Sequence, residues 1–296
     1  MQLFLQLFIN SLQNMAIYSM ATIGIVLILR TSLTTNFAQG MIGTFAAFFS
    51  SNLVLYVNPE MPFWAAIALG ALAAFCIGYA IDAGIIRKGR AVNPVGRQMI
   101  TMGLLLIFYA AIPPVFVSIT TRTPNIPKFS YENLEFSLFG QSLYITEHAL
   151  ICLIVAVISL SILFSMLKFT KWGIALRATA SNEVVAQMMG VNTKFITGVT
   201  WGIAGAFVAI AGSSTAMALN AGMMGQVQIF GFLACVLGGV SNFWSPIAGC
   251  ILIPLFLNYS ALFSPKWAVL ISFILIMLII LIRPNGIFGK KFIRKV

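Results

Sequence analysis

The sequence predicts an all-α membrane protein, a bundle of transmembrane helices forming one domain over residues 1–296. Three observations carry that reading. Hydrophobic residues make up 60% of the chain and charged residues only 8%, against roughly 25% charged in an ordinary soluble domain. Mean hydropathy is +1.01. Apolar runs near the ~20 residues that cross a bilayer as a helix recur along the chain, without the alternation of a barrel strand.

These runs cover about 8–29, 41–57, 62–86, 98–120, 146–167, 195–219, 227–240, 245–262 and 267–282, giving eight or nine crossings. The first begins after Met-Gln-Leu-Phe-Leu-Gln-Leu-Phe, which has neither a positive n-region nor a small-residue cleavage site. It is expected to stay as the first inserted helix. Between Arg30 and Gly43, Thr-Ser-Leu-Thr-Thr-Asn-Phe-Ala-Gln-Gly is too polar for lipid, and reads either as a cytoplasmic loop or as an irregular stretch lining a cavity. Arg87, Lys88, Arg90 and Arg97 then mark a short cytoplasmic loop, with Asp82 positioned to pair with Arg87 or Lys88. The 121–145 stretch falls outside, carries Glu132 and Glu135 against Arg122 and Lys128, and either caps the bundle or meets an external partner.

Lys168, Lys171, Arg177 and Lys194 place the 168–194 loop in the cytoplasm. Within it, Arg177 to Val191 reads as a short helix, with Ser181 as N-cap, Glu183 in the first turn and Gly190 as the C-terminal stop. Val184 with Met188, and Val185 with Met189, recur at four-residue spacing and form an apolar stripe too short to cross a membrane. Such a stripe lies on headgroups, under its own bundle, or in a groove of a partner. In the next run Gly198, Gly202 and Ala206, with Gly205 and Ala209 beside them, allow close helix packing. The 227–240 run is short and ends at Gly238-Gly239, so a broken or re-entrant pair is expected there. Arg283, Lys290, Lys291, Arg294 and Lys295 set the tail in the cytoplasm.

Several classes are disfavoured. The formal net charge of +11 sits in short loops, where it sets topology, so nucleic acid is not expected as a partner. Cys76, Cys152, Cys235 and Cys250 lie in apolar runs without metal-ligand spacing and are expected to be buried thiols, with no metal site. The single histidine, His148, stands beside Glu147 at the mouth of a run and reads as an interfacial residue rather than a catalytic one. No Gly-x-x-x-x-Gly-Lys-Ser/Thr occurs, so any ATP is bound elsewhere.

Arg-Ala-x-Ala-x-Asn-x-x-x-Ala-x-x-x-Gly-Val, from Arg177 to Val191, resembles the cytoplasmic loop of the branched-chain amino-acid ABC transporter permeases, the inner-membrane translocator group. Asn36-Phe37-Ala38-Gln39-Gly40 is similar to that family's Asn-Phe-Ala-His-Gly, and Asp82, Arg87 and Arg90 to its acidic residue and Arg-rich turn. Thr101-x-Gly103, Ala211-Gly212, Gly238-Gly239 and Arg283-Pro284-x-Gly286-x-x-Gly289 follow in the family's order, so the likeness covers nearly the whole chain.

The resemblance implies the shorter of two permease types in an ATP-driven importer of the bacterial inner membrane. A related, longer permease would complete the pathway in a heterodimer, two cytoplasmic ATPase subunits would carry ATP and Mg, and an extracytoplasmic binding protein would deliver solute. This chain would bind no cofactor. Arg177, Ala178, Asn182, Glu183, Val184, Val185, Ala186, Met188, Met189 and Gly190 would form the coupling helix, with Ala178, Ala186 and Gly190 permitting close approach and the Val and Met side chains filling the ATPase groove. Asn36, Phe37, Gln39 and Gly40 would line the substrate pathway, with Gly238 and Gly239 opposite. Gln39 departs from the family's His, replacing a titratable group by a neutral amide, which bears on the solute carried. Two other classes compete. An ion-coupled secondary transporter needs ionisable residues inside the membrane, of which this chain has few, and a non-transporting membrane subunit has no use for the irregular segments.

Overall fold

Long apolar stretches can satisfy their backbone in lipid only by folding as helices, and that is how this chain folds. The computed structural model describes residues 2–91, 93–116, 125–138, 140–240 and 242–289. Among these are α1 (Gln2–Ser32), α2 (Gln39–Asn52), α3 (Phe63–Ile81), α4 (Pro94–Phe116), α5 (Glu147–Phe169), α6 (Lys171–Ser181), α7 (Glu183–Met188), α8 (Thr193–Ser213), α9 (Gly225–Gly238), α10 (Ser245–Phe263) and α11 (Ala268–Ile282). Seven helical segments are long and apolar enough to cross a membrane, and α9 and α11 are shorter apolar helices. All nine apolar runs of the sequence are thus found as helices, in a multi-pass membrane protein.

The centre of the bundle is α1 and α8, which are largely buried, while α4 and α5 turn much of their surface outward. Small residues explain the closeness of α8 to its neighbours. A Cβ on Gly202 would meet the Phe75 ring at 2.7 Å, one on Gly212 would meet the Gly43 carbonyl at 2.7 Å, and one on Gly205 would overlap the Ala74 carbonyl. This bears out the packing role of the glycine stripe.

The ends rich in Lys and Arg gather on one side. Asp82, almost fully buried, pairs with Arg87 at 2.8 Å and accepts a hydrogen bond from the Thr197 hydroxyl at 3.3 Å. The same guanidinium donates to the Lys194 carbonyl at 2.7 Å, tying the end of α3 to the start of α8. At the other side the chain adds an antiparallel hairpin of β1 (Asn133–Leu138) and β2 (Gln141–Thr146), paired from Asn133 with Thr146 to Leu138 with Gln141. Gln2 and Gln6 of α1 donate to the Ser142 and Tyr144 carbonyls at 2.9 and 2.8 Å, so side chains of α1 satisfy the β2 edge. Of the 121–145 stretch, residues 121–124 and 139 lie outside the described residues, as does the tail from 290.

Two expectations are corrected here. Cys76 is exposed on the outward side of α3, because only the opposite side of that helix is packed, whereas Cys152, Cys235 and Cys250 are buried. His148 is buried and structural. Its Nδ1 accepts from the Phe129 amide at 3.2 Å and its Nε2 donates to the Ser214 carbonyl at 3.1 Å, pinning the segment before the hairpin to the end of α8.

Candidate functional site

The segment between α1 and α2 is the irregular alternative rather than a solvated loop. Leu33 adopts φ +49° and turns the chain back into the bundle, after which Thr34, Asn36, Ala38, Gln39 and Gly40 are all buried. Gln39 Nε2 donates to the Ala21 carbonyl at 3.1 Å. The N-terminus of α2 therefore starts about 16 Å inward from the end of α1, counting 11 residues at 1.5 Å each from Ala21 to Ser32.

Its polar groups are held individually. Asn36 Oδ1 accepts the Ala38 N–H at 3.0 Å, and the Phe37 N–H donates to Thr101 Oγ1 of α4 at 3.2 Å. Gln228, one turn into α9, donates from Nε2 to the Asn36 carbonyl at 3.0 Å, and its Oε1 accepts the Gly40 N–H. Phe37 packs on Phe232 of the same helix with ring centroids 5.4 Å apart. A Cβ on Gly40 would lie 3.1 Å from the Met224 carbonyl, the residue that precedes α9. The N-terminal ends of two short helices, α2 and α9, thus meet inside the bundle and are joined through one glutamine amide. Interrupted helices meeting at depth are the arrangement transporters use for a solute path, because their ends leave polar backbone where lipid does not reach.

Gln39 is 1% exposed, and its Oε1 has no hydrogen-bond partner among the described residues. Between α1 and the start of α9 a cavity of about 30 Å³ is lined by Asn14, Tyr18, Thr215, Met217, Met223 and Gln226. That is room for about one water, far below the ~300 Å³ of a ligand-sized pocket.

Gly238 and Gly239 are not brought to this junction. They end α9, ten residues or about 15 Å beyond Gln228 along the helix. Gly239 has φ +95°, and a Cβ there would fall 2.7 Å from the Asn285 carbonyl. The Ile287 and Phe288 amides donate to the Leu237 and Gly238 carbonyls at 2.8 and 3.2 Å, so the Arg283-to-Gly289 tail caps α9 and the glycines make room for it. Gln228 was not singled out in the sequence, although it is the one amide in the 227–240 run.

The polar island between α5 and α8 is two helices rather than one. Thr170 caps α6 by accepting the Gly173 N–H at 3.1 Å. Asn182, with φ −158° and ψ 110°, breaks the helix, and its Oδ1 accepts the Val185 N–H at 3.1 Å to cap α7. The N-cap is therefore Asn182, not Ser181, which belongs to α6 together with the exposed Arg177 and Ala178. At the far end Val191 N–H donates to the Ala186 carbonyl and Gly190 N–H to the Gln187 carbonyl, each at 3.0 Å, with Gly190 at φ +83°. This is a Schellman stop, which glycine accommodates without strain.

Between those caps α7 turns its apolar side chains outward. Val184, Val185, Met188 and Met189 are 60%, 52%, 81% and 79% exposed. Ala186, expected to permit close approach of a partner, is 3% exposed and faces the protein's own bundle. Gln187 Nε2 donates to Thr193 Oγ1 at 2.8 Å and fastens α7 to α8, while Glu183 sits in the first turn, 3.5 Å from Gln187 Nε2. A capped two-turn helix with four exposed apolar side chains at a basic end presents a surface that suits either a partner's groove or lipid headgroups.

Comparison with known proteins agrees with this architecture. Residues 7–280 match the family of branched-chain amino acid transport system permease components. The chain is 25% identical to the high-affinity branched-chain amino acid transport system permease protein BraD of Pseudomonas aeruginosa, over 99% of this chain and 98% of that one. It is 26% identical to the corresponding protein LivH of Salmonella typhimurium, with the same coverage, and 27% identical to a probable LivH of Methanocaldococcus jannaschii over 94% and 91% of the two chains. No solved structure matches the chain. With the family match spanning most of its length and the relatives covered almost end to end, the chain belongs to the branched-chain amino acid transport permease family.

Proposed function

We propose that this protein is a pathway-forming permease subunit of an ATP-driven importer in a bacterial inner membrane, carrying branched-chain amino acids or related small polar solutes. The observation that carries the ATP-driven reading is α7, an apolar, rigidly capped helix that its own bundle leaves uncovered. Its occupant is a cytoplasmic ATPase subunit, which binds ATP and Mg; a second, longer permease and an extracytoplasmic binding protein complete the assembly.

Asn36, Phe37, Gln39 and Gly40, clasped by Gln228, form the gate on the pathway. Gly238 and Gly239 shape the cytoplasmic end of α9, the helix that carries the clasp. ATP-driven approach of the ATPase subunits moves α7 and, through Gln187 and Thr193, the start of α8. Because α8 packs directly on α1, α2 and α3, that movement reaches the α2–α9 junction and opens it alternately to the two sides.

The test is uptake of labelled leucine into membrane vesicles supplied with ATP and the binding protein. A Val185→Asp, Met188→Asp double variant is expected to lose uptake at least tenfold, while keeping wild-type abundance and thermal stability, because both side chains are exposed. Uptake unchanged in that variant would overturn the proposal.

A further inference from the structure

At the side of the bundle away from the Lys- and Arg-rich ends, one buried ring fastens three pieces of chain. His148, the single histidine of the sequence, is 2% exposed in the first turn of α5. Its Nδ1 accepts the Phe129 N–H and its Nε2 meets the Ser214 carbonyl. A backbone N–H can only donate, so Nδ1 carries no proton and the neutral ring keeps its one proton on Nε2. The Phe129 ring stacks on the imidazole with centroids 5.5 Å apart, and lies 5.3 Å from the Phe63 ring at the start of α3.

The pieces held this way lead to the α2–α9 junction. Residues 125–131 form a strap: the Ile126 N–H donates to the Met217 carbonyl at 3.0 Å, Asn125 bridges to Ala218, and Ile126 is buried. Ser214, Met217 and Ala218 belong to the segment between α8 and α9, and one turn into α9 stands Gln228, which clasps Asn36 and Gly40. A proton added to His148 undoes this arrangement. Both nitrogens of an imidazolium donate, so two N–H groups would face each other across the 3.2 Å contact with Phe129. The groups around the ring do not offset that loss. Lys128, beside Phe129 on the strap, repels an imidazolium, and Cys152, one turn along α5 with Sγ 3.5 Å from Nε2, is a thiol. The sequence has no Asp, Glu, Lys or Arg between Lys194 and Lys266, so the α8–α9 side brings no charge. Glu132 and Glu147 stand at the base of the hairpin and Glu60 on the exposed turn before α3; among the described residues no carboxylate bonds to the ring.

From this we propose that His148 is a pH-sensitive latch: neutral, it closes the 125–131 strap onto the segment that leads into α9, and protonated, it releases both. Once the strap opens, the ring is solvated and titrates in the ordinary histidine range near about pH 6.5. Proton uptake is therefore coupled to opening, and the latch is shut above that range and gives way as the pH falls below it. The latch belongs to this chain alone and does not depend on what docks at α7; that it bears on transport rests on the α2–α9 junction being the gate.

The test uses the full chain, purified in detergent without a histidine tag and with its one histidine isotopically labelled. Nuclear magnetic resonance of the ring nitrogens is expected to show the Nε2–H tautomer at neutral pH and an imidazolium at acidic pH. Hydrogen exchange read by mass spectrometry, corrected for the intrinsic pH dependence of amide exchange, gives the second readout. Between about pH 7.5 and about pH 5.5, protection of 125–131 and 214–224 is expected to fall about tenfold, the factor for one proton taken up one unit below the histidine range. Protection of 196–212 within α8 is expected to stay constant. His148→Gln keeps a donor and an acceptor without titrating, and is expected to lose the pH response. An Nδ1–H tautomer at neutral pH, an imidazolium formed while the strap stays protected, or an equal loss of protection in His148→Gln would overturn the latch. The first two outcomes are read on the wild type, so the test stands even where the variant fails to fold.

Discussion

A single amide, Gln228, decides how the α2–α9 junction is held. It satisfies one buried donor, the Gly40 N–H, and one buried acceptor, the Asn36 carbonyl. Replacing it by leucine keeps the size and orphans both groups, each at a cost of about 1–3 kcal/mol. Gln228→Leu is therefore expected to lower the unfolding temperature of the purified protein and to impair leucine uptake. Unaltered stability and uptake in Gln228→Leu would contradict the role of the clasp. Asp82 poses the same kind of question at the end of α3. Asp82→Asn leaves the Arg87 guanidinium without its carboxylate, and a hydrogen bond to a charged group contributes about 1.5–3 kcal/mol, so thermal denaturation is expected to show a loss in that range. The residue scale is also where the sequence was least explicit. Ser181 and Asn182 are both good caps, and only the extended backbone of Asn182 distinguishes them. The orphaned Gln39 Oε1 and the clasp on Gly40 depend on a contact across 188 residues, which no local pattern displays.

Helices and turns were far more legible. Nine apolar runs became nine apolar helices because a helix satisfies the backbone within lipid, and the run lengths bounded them to within about six residues. The 33–38 segment stayed undecided between loop and cavity lining, since its polarity fits both; Thr101 and Gln228, reaching in from α4 and α9, settle it as a buried stretch. The hairpin of β1 and β2 was not anticipated, although Leu134, Phe136, Leu143 and Ile145 alternate with polar residues there, a period of two that a reading tuned to long apolar runs passes over. Two glycines make opposite predictions at this scale. Gly205→Leu places carbon atoms inside the Ala74 backbone and is expected to prevent α8 from packing on α3, seen as loss of folded protein by size-exclusion chromatography. Gly103→Ala, in α4, meets nothing within 4 Å and is expected to leave stability unchanged or raise it by up to about 1 kcal/mol.

In the whole molecule, rigid connections run from the exposed α7 to the buried junction. The Gln187–Thr193 bond joins α7 to α8, the Asp82–Arg87 pair joins α8 to α3, and the glycine contacts join α8 to α2. In the proposed mechanism these contacts are the route by which a push at α7 reaches Gly40 and Gln228. Composition and charge had already pointed to a membrane protein with its basic ends on one side; the order of short motifs had indicated the family, which the comparisons establish. What the chain's own atoms add is the uncovered apolar face of α7. Its occupant is tested most directly by site-directed cross-linking: Met188→Cys in a Cys76→Ser background, treated in native membranes with a short bifunctional maleimide. An adduct containing an ATPase subunit that binds ATP, absent when the cysteine is moved to Ala186, is the result this account predicts; labelling of Met188→Cys without any protein adduct would contradict it.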